Sequence, residues 1–99
     1  IAPVVLDAPN DVPDLAEICR AAFEQWIGLL CEAFMRAGVP ERRAHALALL
    51  VESSLEGLMV IARATRDRAP LQAVADEVAA LIEAAVLAGE VRQRADATV

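Results

Sequence analysis

The sequence predicts an all-α protein, an antiparallel domain of three main helices. Apolar residues recur at three- and four-residue steps through three long segments, and Gly38 with Pro40, then Asp67 with Pro70, interrupt them. Nowhere do apolar and polar residues alternate as they do along a half-buried strand. The 99 residues fit one domain, without an internal repeat or a low-complexity tract.

Residues 1–10 carry Pro3 and Pro9 and no helical period, which predicts an extended lead-in. The helical domain then spans residues 11–88. Its first helix has Asp11 as a cap, Pro13 in its first turn and Gly38 as its stop. Leu15, Cys19, Phe23, Trp26, Leu30 and Phe34 line one side, so all three aromatic residues share the buried face, while Glu17, Arg20, Glu24, Gln25, Glu32 and Arg36 line the other. The second helix starts at Pro40 or Glu41 and runs to about Asp67. The third runs from Pro70 to about Ala88, with Gly89 as its stop, and residues 89–99 are expected to form a flexible tail.

Composition narrows the partners. Apolar residues make up 58% of the chain and mean hydropathy is +0.45, above the roughly 45–50% of ordinary soluble domains. A membrane span needs about 18 consecutive apolar residues, and the longest runs, Ala46 to Val51 and Leu58 to Ala62, are far shorter. The surplus therefore points to self-association or a ligand cavity rather than to a membrane. Net charge is −6 and the only basic residues besides His45 are arginines, so these residues are poorly suited to direct nucleic-acid contact. Cys19 and Cys31 lie about 18 Å apart along one helix and cannot bridge. No leader segment is visible, and a chain beginning at Ile1 is expected to be a fragment or a processed product.

The second helix is the informative one. Unwrapped at about 100° per residue, His45, Glu52, Glu56 and Arg63 fall on one narrow stripe. Leu47, Val51, Ser54, Leu55, Leu58 and Ala62 form the strongest apolar line, and Ala46, Ser53, Gly57 and Ala64 a separate line of small residues. Small residues on one line let another backbone approach closely, which gives a mid-helix glycine a purpose despite its cost of roughly 1 kcal/mol. Helix three has a similar line at Ala73, Ala80 and Ala84. A second copy of the chain, joined through a four-helix bundle, is the economical partner; another helix of the same subunit is the alternative.

Catalytic chemistry finds no support. His45 and Glu52 are about 10.5 Å apart in rise and cannot share an ion, and Glu52 with Glu56 alone would make a weak, unselective metal site. A solvated or partner-facing stripe explains these charges more simply, although a carboxylate set in an apolar helix could also orient a ligand. Ser53 and Ser54 lack a base and an elbow, there is no glycine-rich phosphate loop, and no cofactor is implied. The group Phe23, Trp26, Leu30 and Phe34 reads either as plain core or as one wall of a small apolar pocket.

Taken in order, IAPVVLDAP, AAFEQWIGLLCEAFMRAGVPERRAHALALL and SLEGLMVIARATRDRAPLQAVADEVAALI resemble the C-terminal regulatory domain of TetR-family transcriptional repressors, in particular the LmrA- and YxaF-like subgroup. The resemblance implies a cytoplasmic, all-helical homodimer that binds a small hydrophobic effector. It implies a pocket formed by Phe23, Trp26, Leu30 and Phe34 with Leu55 and Met59. It also implies a four-helix dimer interface holding Ala46, Leu50, Ser53, Gly57, Ile61 and Ala64 of the second helix and Val74, Val78, Leu81 and Ile82 of the third. The basic helix-turn-helix of such repressors is not among these residues, so operator DNA would be reached only through an N-terminal domain absent from this chain. A ligand-free structural dimerisation module is the competing expectation.

Overall fold

The computed structural model describes residues 13–97, which form α1 (Pro13–Arg36), α2 (Glu41–Thr65) and α3 (Ala69–Ala97). There is no strand among the described residues. The extended lead-in and the Asp11 cap lie outside them.

The turn between α1 and α2 follows from one glycine. Gly38 takes φ +98°, a left-handed conformation that costs a residue with a Cβ about 1–2 kcal/mol. This lets the Gly38 amide donate to the Met35 carbonyl at 3.0 Å and the Val39 amide to the Phe34 carbonyl at 3.0 Å, so carbonyls left open at the helix end are satisfied. The same turn folds Val39 back beside Phe34. Both are buried, and with Ala44 and Val51 they form the core, against which Leu30, Cys31, Leu47, Val78 and Ile82 pack.

The turn between α2 and α3 is built differently. Arg66 takes the left-handed conformation (φ 54°) and ends α2 after Thr65, slightly before the expected Asp67. Asp67 instead serves α3, its Oδ1 accepting from the Ala69 amide at 2.9 Å.

Gly89 corrects the sequence expectation. It was predicted to stop the third helix, with a flexible tail behind it; α3 instead passes through it as regular helix as far as Ala97. Gly89 is buried because the α1–α2 turn presses on it: a Cβ there would stand 2.5 Å from the Ala37 carbonyl oxygen, and one on Gly38 would stand 2.5 Å from the Gly89 carbonyl oxygen. The glycine is used for closeness rather than for a change of direction. Both uses call for the same residue type, and only the neighbouring chain segment distinguishes them.

The Cα trace extends 56 × 33 × 13 Å, little more than one helix thick. Three helices lying side by side leave both faces of the layer open, and large apolar residues remain exposed on all of them, including Ile18, Leu29, Leu50, Met59, Ile61 and Leu81. On the polar side of α1, Arg20 bonds Glu17 and Glu24, both exposed.

A Gly89→Ala substitution is expected to lower stability by about 1–3 kcal/mol, the usual range for overpacking. Gly28→Ala, where an added Cβ meets nothing within 4 Å, is expected to raise it by about 0.5–1 kcal/mol. Thermal melts followed by circular dichroism check both signs; equal behaviour of the two variants would remove the close-packing account of Gly89.

Candidate functional site

Antiparallel pairing of α1 and α2 places residues equally distant from Gly38 opposite one another. Phe23 meets the level of Ser53, Ile27 that of Leu49, Cys31 that of His45, and Met35 that of Glu41. These pairs line two adjoining grooves on one side of the α1–α2 seam. The first, of about 310 Å³, is lined by Phe23 and Ile27 from α1 and by Leu49, Glu52, Ser53 and Glu56 from α2. The second, of about 510 Å³, shares Ile27 and Leu49 and continues to Cys31, Met35, Glu41 and His45. Each volume falls in the range of roughly 300–1,000 Å³ typical of small-molecule sites.

The first groove is nearly all hydrocarbon except for its two carboxyls. Glu52 is half-buried, and this burial, together with the Glu56 carboxyl one helical turn away, pushes its pKa above the ordinary carboxylate value. Phe23 and Trp26 meet edge to face, with ring centroids 5.9 Å apart, so the Phe23 wall of the groove is braced from behind. Among the described residues no three His, Cys, Asp or Glu side chains stand close enough to hold a metal ion.

The residues expected to form the pocket are dispersed. Phe23 lines the groove and Trp26 supports it. Phe34 is part of the core and Leu30 packs on it, while Leu55 and Met59 are exposed and line neither groove. Ile27, Leu49, Glu52 and Ser53 are the partners that periodicity did not select. Glu52 stood on the polar stripe of α2 and Ser53 on its line of small residues, while Ile27 and Leu49 gave no sign in the sequence.

The residues expected at the dimer interface divide as well. Ala46, Leu50, Ser53, Gly57, Ile61 and Ala64 are all exposed, and a Cβ on Gly57 would meet nothing within 4 Å. Leu81 is 51% exposed and Val74 half-buried, but Val78 and Ile82 pack against the subunit's own core. Among the described residues no helix covers the small-residue line of α2.

Comparison with known sequences decides the family. Residues 1–77 match the family model described as the C-terminal domain of LmrA/YxaF-like transcriptional regulators. The chain belongs to that family. An HTH-type transcriptional regulator of Mycobacterium tuberculosis, Rv0196, is 46% identical over 59 residues, covering 58% of this chain and 30% of the relative. The regulator YxaF of Bacillus subtilis is 26% identical over 68 residues, covering 69% of this chain and 36% of its own. The chain thus spans about a third of the length of these relatives. No solved structure matches.

Membership of a family of transcriptional regulators bears on α2, which has the length and composition of a membrane span, with a mean hydropathy of 1.5 in its most apolar window and 17% of that window buried. An ionised residue at a bilayer centre costs about 2.5–3.5 kcal/mol, and Glu52 and Glu56 both lie in the middle of this helix.

Because the folded chain raises the pKa of Glu52, it holds that proton more tightly than the unfolded chain does. The associated stability is present below the unfolded value near 4.5 and is lost as pH rises through the folded value. Glu52→Gln is therefore expected to be more stable than the parent at pH 7, by less than about 1 kcal/mol given solvent screening at a half-exposed site. The difference should vanish by about pH 4. Urea denaturation at the two pH values checks this; a difference that is the same at both would assign it to something other than Glu52 ionisation.

Proposed function

We propose that this chain is the sensing and dimerising part of a transcriptional repressor. It takes up a small hydrophobic effector in the α1–α2 groove and forms the cytoplasmic homodimer that positions DNA-binding domains lying outside these residues. The observation that carries this reading is the placement of two distinct surfaces side by side on α2. One is the groove floored by Phe23, Ile27 and Leu49, and the next is the uncovered line Ala46, Ser53, Gly57 and Ala64. Ser53 belongs to both.

That adjacency gives a physical route from effector to operator. A molecule wedged between Ile27 and Leu49 favours whichever α1–α2 spacing accommodates it, and α2 is also the helix that meets the partner subunit. Effector binding then shifts the population of dimer geometries by its difference in affinity for them, and so shifts the separation of the two DNA-binding domains. Two recognition helices that no longer match successive major grooves release the operator. The exposed residues Leu50 and Ile61 flank the small line, and covering the half of each side chain still exposed is worth about 1 kcal/mol towards association. Val78 and Ile82 contribute by stiffening the subunit beneath the interface instead of crossing it.

Gly57→Leu tests the association half. Open space around this position lets the subunit fold, while the added side chain keeps a partner helix from close approach. Sedimentation is expected to show dimer dissociation at least about tenfold stronger than in the parent, a change of about 1.4 kcal/mol. Unchanged association would take the small-residue line out of the interface.

A further inference from the structure

We infer that the second groove is a site for a soft monovalent metal ion, copper(I), held by the Cys31 thiolate and the Met35 thioether of α1 and the His45 imidazole of α2. The site adjoins the first groove and does not depend on an effector binding there.

The two sulfurs supply the geometry. Cys31 Sγ stands 4.0 Å from Met35 Sδ, one helical turn further on, and the cysteine is in no disulfide. Sulfur donors about 2.3 Å from a metal, the length of a bond from zinc to a thiolate, lie about 4.0 Å apart when they subtend 120°. The pair therefore already has the spacing of two ligands in a trigonal site with one place open. That place faces α2. Cys31 lies seven residues before Gly38 and His45 seven after it, so the antiparallel turn brings the sole histidine of the chain level with the thiol. All three side chains line the same groove. The thiol is half-buried while Met35 and His45 are exposed, which leaves an ion a path in from solvent and leaves both side chains free to turn towards it.

The donor set chooses the ion. Thiolate and thioether sulfur select copper(I), and imidazole suits copper as well. A divalent ion gains little from a thioether, and among the described residues no three His, Cys, Asp or Glu side chains converge to hold one. Glu32 and Glu41 line the same groove and favour a cation there, against the single charge of Arg42 beside His45. On binding, the thiol proton leaves to solvent, the metal gains two bonds to sulfur and one to nitrogen, and its oxidation state is unchanged. The ion then ties α1 to α2 beside Ile27 and Leu49, which the two grooves share.

Anaerobic titration of the protein with copper(I) against the chromogenic chelator bicinchoninate tests the site. One ion per chain is expected to leave the chelator, with thiolate-to-copper absorption appearing in the near ultraviolet. Even outer partners of a metal site commonly contribute about 10–100-fold in affinity, so Met35→Leu and His45→Gln should each weaken copper at least about tenfold, and Cys31→Ser about a hundredfold or more. Cys19→Ala, which removes the buried thiol elsewhere on α1, should change nothing. Circular dichroism establishes that each variant keeps its helices. Copper left with the chelator, half an ion per chain, or a loss in Cys19→Ala equal to that in Cys31→Ser would each overturn the inference. So would parental affinity in both Met35→Leu and His45→Gln, which would leave a thiol acting alone.

Discussion

Everything in this fold is measured from the point where Gly38 and Gly89 touch. The left-handed residue at Gly38 reverses the chain with carbonyls at the C-terminal end of α1 satisfied, and it buries Phe34 and Val39 together. Because Gly89 has no side chain, α3 can press its backbone against that same turn. The contact thus fixes the register of α1 on α2 and one end of α3 at once. Each groove partner is located by its distance from Gly38 along the two helices, so a single inserted residue in the turn would rotate the opposing side chains by about 100° and dismantle the seam.

A layer little more than one helix thick has a consequence that a globular bundle avoids. Its core is limited to a strip where the helices meet, and even α2, flanked on both sides, buries only Ala44, Ala48, Val51 and Leu58. The remaining apolar surface is not a defect of packing. It is spread over all three helices, and on α2 it flanks a line of small residues, where a second backbone could come close and recover dispersion and hydrophobic energy together. The chain belongs to a family of transcriptional regulators and matches only about a third of the length of its relatives, so this layer is one part of such a protein's architecture.

The two glutamates of α2 occupy the place where these demands meet. They interrupt the hydrophobic helix enough to make a bilayer a poor environment, and burial together with the neighbouring Glu56 raises the pKa of Glu52 above the ordinary carboxylate value. Burying the Glu52 carboxyl beside an apolar floor and a second carboxyl raises the free energy of its charged form. Such a cost is commonly carried at sites whose occupant relieves it, since the relief then adds to the free energy of binding.

By itself the sequence determined the three helices, the turn at Gly38 and the surplus of apolar surface. These depend on local physics: periodicity within a helix, the allowed φ of glycine, and proline's tolerance of a first turn. It did not determine the role of Gly89, because a helix stop and a close contact require the same residue, and the contact comes from a segment some fifty residues earlier. Nor did it choose between the readings of its aromatic stripe. Phe23 and Phe34 lie on the same face of α1, and only the register of α2 makes one a groove wall and the other core. Tertiary structure decided those points because they concern what stands opposite a residue, and a helix's own spacing holds no information about that.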